Sequence, residues 1–162
     1  MKRKHYLIGF GIIIIFVISF FVYNQTRYTT FENELSEIHS YYNHSEELTK
    51  IEITLFDINN NKGLSTVIEN PSTIESIYEQ LTSTNLKKTS TETDWINNYA
   101  IDLKYSNGAP TTHLLLFQDG KLFISEPFIH GSYHKTDSNK LYSYLENLEL
   151  SWDREFELSE DE

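Results

Sequence analysis

The 162-residue sequence predicts an α+β fold, one antiparallel β-sheet with two helices in a ββα-ββββ-α-like order, preceded by one transmembrane helix and a linker helix. Three observations carry this expectation. An uncharged apolar run, Leu7–Val22, follows directly on the basic cluster Lys2-Arg3-Lys4, several short downstream stretches alternate apolar and polar residues, and two others space them at helical intervals.

The first element is the apolar run. From Tyr6 to Tyr23 it makes a helix of roughly 27 Å, close to a hydrocarbon core of about 30 Å, with a tyrosine at each end where headgroups would meet it. A cleaved secretory signal has a shorter apolar region and a small-x-small cleavage step, which the sequence after Ser19 lacks. The basic residues lie before the run, and Arg27 alone follows closely behind it, soon joined by Glu32, Glu34 and Glu37. That bias predicts a cell-membrane, single-pass protein with its N-terminus cytoplasmic and its C-terminal domain extracytoplasmic. The expected divisions are residues 1–5 as cytoplasmic basic N-terminus, 6–23 as transmembrane helix, 24–47 as linker helix, 48–150 as α+β domain and 151–162 as acidic tail.

Four of the thirteen Lys and Arg precede residue 28 with no acid among them, so the remainder carries nine basic against 24 acidic residues, a net charge of −15. Such a field opposes nucleic acid and anionic headgroups and tolerates cationic partners or divalent ions. With no cysteine, the exported domain must be held by its core alone, which about 100 residues can supply.

Tyr28, Phe31, Leu35, Ile38 and Tyr42 are spaced 3, 4, 3, 4. This is a helix with a narrow apolar stripe, which either packs on the domain or pairs two copies in a homodimer through Tyr28–Tyr42. Ile51, Ile53 and Leu55 alternate as a strand, Asn59 to Gly63 is a turn, and a second strand runs from Leu64 to Glu69. Ser72-Thr-Ile-Glu75 has capping-box spacing ahead of Ile74, Ile77, Tyr78 and Leu81, predicting a helix to about Thr82. Asn85 to Thr93 reads as an edge strand and loop, guarded by lysines. Tyr99 to Tyr105, Thr111 to Phe117 and Lys121 to Ser125 form a meander whose last turn is Asp119-Gly120. A final helix, capped by Asp137 or Ser138, reaches about Leu148, and the acidic end from Asp153 is expected to fray.

Candidate sites are few. Asp57, Asn59 and Asn61 fall at the alternate positions of a calcium loop, but Lys62 stands where glycine is needed and Ile68 where a bidentate glutamate is needed. His130 and His134, four apart, are candidate ligands for zinc or calcium, with Glu126 or Asp137 as a third. Phe128 and Tyr133, in the late aromatic cluster, are candidate partner-binding residues. There is no nucleophile elbow and no phosphate loop, so catalysis is disfavoured.

The run Gly120-Lys-Leu-Phe-Ile-Ser-Glu-Pro-Phe-Ile-His-Gly-Ser-Tyr133 joins a hairpin arm to a proline-aromatic step and a Gly-x-Tyr. It resembles the C-terminal part of a family of uncharacterised small exported domains of Gram-positive bacteria. The resemblance implies a membrane or lipid anchor ahead of a ββα-ββββ-α-like domain over Ile51 to Leu148. Lacking cysteine, this chain departs from the lipid-anchored members, and the resemblance supplies no catalytic residue. The expected function is a non-enzymatic binding or accessory module of the bacterial cell envelope, meeting an envelope protein partner or small ligand. The alternatives are a metal-dependent enzyme or divalent-ion sensor using His130 and His134, and an immunity-type or regulatory protein of a membrane neighbour.

Overall fold

The computed structural model describes residues 2–42, 47–89, 98–106, 111–126, 129–137 and 139–158; within these, side chains are described except at 2–9, 39–42, 126, 129 and 130. The fold is α+β. Among the described residues there are four α-helices, α1 (Lys2–Gln25), α2 (Phe31–Tyr42), α3 (Pro71–Thr82) and α4 (Lys140–Asn147). The nine strands are β1 (Tyr28–Thr30), β2 (Leu48–Asp57), β3 (Lys62–Ile68), β4 (Asn85–Thr89), β5 (Asn98–Tyr105), β6 (Thr112–Phe117), β7 (Lys121–Glu126), β8 (Ile129–Thr136) and β9 (Arg154–Glu157). They form one antiparallel sheet in the order β1-β4-β8-β7-β6-β5-β2-β3-β9.

Alternation divides the sheet into two faces. Ile51 and Ile53 of β2, Tyr99, Ile101 and Leu103 of β5, Leu114 and Leu116 of β6 and Leu122 and Ile124 of β7 all point to the side covered by helices. Phe31 and Leu35 of α2, Ile77 and Leu81 of α3, and Leu141 and Leu145 of α4 meet them there. Of the stripe read in the linker segment, Phe31 and Leu35 are buried in this core, Ile38 packs against it, and β1 takes Tyr28 out of the helix, while the Tyr42 side chain lies outside the described residues. Tyr99 and Tyr142 meet edge to face with centroids 5.2 Å apart, and burial pushes the Tyr99 hydroxyl up to about 12.

Local chemistry sets the element ends. Thr30 Oγ1 accepts from the Asn33 amide and caps α2. For α3 the cap is Asn70, two residues ahead of the expected Ser72: its Oδ1 accepts from the Ser72 and Thr73 amides, and Pro71 fits the first helical position because it has no amide proton to satisfy. At α4 the flanking residue is Asn139, whose side-chain Nδ2 donates to the Gln118 carbonyl; Asp137 instead accepts from Asn85, and Ser138 lies outside the described residues. Gly120, at φ 77, turns the β6–β7 hairpin.

Two strands depart from expectation. β8 occupies a stretch for which the sequence reading expects no strand; Gly131 is there because the ring of Phe123 lies over it, where a Cβ would collide. β9 replaces part of the expected frayed tail. The Phe156 ring covers Gly63, and Asp153 ties the segment down: its amide donates to the Ser65 carbonyl at 2.9 Å, and its carboxylate accepts from Thr66 Oγ1 at 3.1 Å and the Val67 amide at 3.2 Å. Among the described residues no helix is long and apolar enough to cross a membrane. The described side chains of α1 begin at Phe10, which leaves roughly 24 Å of helix to Gln25.

Asp153→Ala should lower the unfolding free energy by about 1 to 2 kcal/mol, because it strands the buried Thr66 hydroxyl and the Val67 amide. Urea unfolding checks this, and an unchanged midpoint would return the segment to a frayed tail.

Candidate functional site

A partly enclosed charged cluster lies where α2 crosses the sheet. Lys88 of β4 and His134 of β8 are directly paired across the strands and both face the helices. Glu34 lies on the same side of α2 as Phe31, three residues before it, and as Ile38, four residues after, so its carboxylate is carried down onto that pair. One oxygen lies 3.2 Å from Lys88 Nζ and the other 3.4 Å from His134 Nε2. His134 is fully buried, and among the described residues neither ring nitrogen makes a well-formed hydrogen bond. His134 and then Lys88 hold the Glu34 carboxyl down to about 2, overcoming the opposite pull of burial.

Lys88 also joins the sheet to the end of α1. Its amide donates to the Arg27 carbonyl at 2.8 Å, and the Arg27 guanidinium donates back to the Lys88 carbonyl, 3.0 Å from Nε. The segment leading out of α1 is therefore clamped to β4 from both sides.

An open groove of about 430 Å³ lies at the start of β2 beside α3. Leu48, Pro71, Ile74 and the Tyr78 ring form its apolar floor, and Glu47, Glu69 and Glu75 its rim. Lys50 pairs with Glu69 at 2.6 Å, which leaves the rim acidic on balance. Burial first, and Glu32 second, raise the Tyr78 hydroxyl above its ordinary range, so it stays neutral near pH 7.

The residues singled out by sequence fall differently. His134 is under α2. His130 is on the same strand, four residues or about 13 Å away along the backbone, and its side chain lies outside the described residues. Among the described residues no group of three His, Asp or Glu could hold a metal ion. Tyr133 is half-buried on the open sheet face, its ring 4.6 Å from that of Phe123 and 6.4 Å from that of Phe117, while Phe128 lies outside the described residues. Asp57 is spent locally, accepting from the Asn60 amide and side chain in the turn before β3. His113 stands 2.8 Å from Asp102 on the open face.

Sequence reading missed Glu34, although a signal existed: a carboxylate set on an apolar stripe must either break the helix face or find buried partners. It missed the groove because Glu47, Glu69 and Glu75 belong to separate segments.

Comparison with protein-family models, curated proteins and solved structures finds no match.

Glu34→Gln should destabilise the protein by about 2 kcal/mol at pH 7. The folded carboxyl titrates below its ordinary 4.5, so this stabilisation is complete above that value and is lost as the pH falls towards 2. Melting curves of wild type and variant should accordingly converge between pH 5 and pH 2, as estimated roughly from that shift; a constant offset would show that the charge on Glu34 contributes nothing.

Proposed function

We propose that this protein is a non-enzymatic binding module of the cell envelope, held in the membrane by α1 with residues 28–162 outside. The groove between α3 and β2 is its ligand site. The anchor reading is supported by α1 itself. Phe10, Phe16, Phe20 and Phe21 are each more than 60% exposed, Ile13 and Ile15 equally so, and among the described residues α1 gives none to the core. An exposed apolar surface on all sides of a helix requires a partner, and the stretch of α1 between the basic cluster and Asn24, Tyr6 to Tyr23 at roughly 27 Å, approaches the hydrocarbon thickness of a bilayer. The charge bias across the run orients it with Lys2, Arg3 and Lys4 inside.

The observation that carries the binding reading is the combination within the groove of an apolar floor, an aromatic ring and an acidic rim. That combination fits a cation with an apolar body, such as an alkylammonium or the side chain of a basic residue on an envelope protein. Tyr78 supplies an aromatic ring to the lining, a cation–π partner for the charge, and the glutamates neutralise it.

Titration of the detergent-solubilised full chain with spermidine and with tetramethylammonium, followed calorimetrically, tests the groove. Binding should saturate, and both Glu75→Gln and Tyr78→Ala should weaken it about tenfold, as expected for one charge-assisted or cation–π contact. Flat isotherms with both probes would remove the groove from consideration.

A further inference from the structure

The domain is acidic as a whole, yet its cations are not evenly spread. Tyr28, Lys87, Lys135 and Lys121 are paired in one row across β1, β4, β8 and β7, so all four side chains stand on the sheet face away from the helices, strands about 4.8 Å apart. Like charges directly opposite one another destabilise a sheet. In a chain with 24 acids, an alternating row was open to it.

Only part of this charge is neutralised. Lys121 pairs with Asp119 at 2.9 Å. Lys87 lies over the Tyr28 ring at 4.8 Å and donates to its hydroxyl at 3.1 Å, and among the described residues no carboxylate pairs with Lys87 or Lys135. A hollow of about 270 Å³ opens there between Tyr28, Lys87, Lys135 and Thr136, with Asp137, itself bonded to Asn85, at its margin.

Its position gives the row a target. Tyr28 comes three residues after Gln25, the last residue of α1, so the row begins within about 10 Å of that helix end. Arg27 lies between them, its guanidinium 6.0 Å from the Tyr23 ring. The next row on the same face carries the packed rings of Tyr133 and Phe123. Lysines beside aromatics at the end of an apolar helix match the chemistry of a lipid headgroup layer.

We propose that this lysine row docks on phosphate-bearing anionic headgroups and lays the β1–β4–β8–β7 half of the open face on the membrane. The inference rests on the reading of α1 as an anchor. It reverses, for this face, the expectation from net charge, since headgroups within a Debye length of about 8 to 10 Å meet Lys87, Lys135 and Lys121, with Asp119 and Asp137 beside them, rather than the acids of the rest of the domain. The opposite edge, β3–β9, is left turned to the outside.

The test reconstitutes the full chain in vesicles of phosphatidylcholine alone and of phosphatidylcholine with phosphatidylglycerol, then reads amine acylation by mass spectrometry. Lys87 and Lys135 should react about fivefold more slowly in the anionic vesicles and recover in high salt, while Lys62 of β3 should not change. Lys87→Gln with Lys135→Gln should abolish the protection read at Lys121. Equal rates in both vesicles overturn the proposal, and protection by inorganic phosphate in phosphatidylcholine vesicles overturns it in favour of a soluble anion. If the chain floats with neither vesicle, the anchor reading itself fails and the docking falls with it; flotation with equal rates removes the docking alone.

Discussion

The buried carboxylate of Glu34 between Lys88 and His134 determines how the N-terminal arm meets the sheet. α2 contributes only a narrow apolar stripe, and a stripe can slide along a sheet face at little cost. A charge set between two cross-strand partners cannot slide without being left unpaired in a poorly solvated place. Glu34 therefore sets the register of α2, Phe31 and Leu35 enter the core beside it, and Arg27 joins the same residue, Lys88, from the other side. The end of α1, β1, α2 and the β4 edge thus behave as one unit.

The two faces of the sheet divide the remaining work. One face is consumed by the core under α2, α3 and α4. The other stays open: Lys104 pairs with Glu52 and His113 bonds to Asp102 in its middle, whereas cations gather towards β1. The acidic groove lies at the start of β2 against α3, away from the lysine row on β4, β8 and β7. Net charge averages over these regions and describes none of them.

The edges are protected by different means. β1 covers β4 and presents only three residues. β9 covers β3 by covering a glycine with an aromatic ring, Phe156 over Gly63, and by the carboxylate of Asp153. Both additions make the sheet longer than the alternation of the sequence implies, and both are short strands whose pairing depends on contacts from residues distant in the chain.

By itself the sequence determined the α+β class, the strands at Ile51, Tyr99, Thr112 and Lys121, the helices around Ile77 and Leu141, and the turns at Asn61 and Gly120, because period and turn chemistry are local. It did not determine β8, where Gly131 has its reason only once the Phe123 ring is placed over it. Nor did it determine β9, whose acidic residues hide a strand held by Ser65, Thr66 and Val67. Of the sites, sequence marked His134 and Tyr133 as unusual but did not show their neighbours: strand pairing sets His134 opposite Lys88 and Tyr133 beside Phe123. Glu34 with Lys88, the groove acids, and the lysine row each join residues separated by long stretches of chain. Only strand pairing brings Lys87, Lys135 and Lys121 into one line, and strand order is a property of the whole sheet.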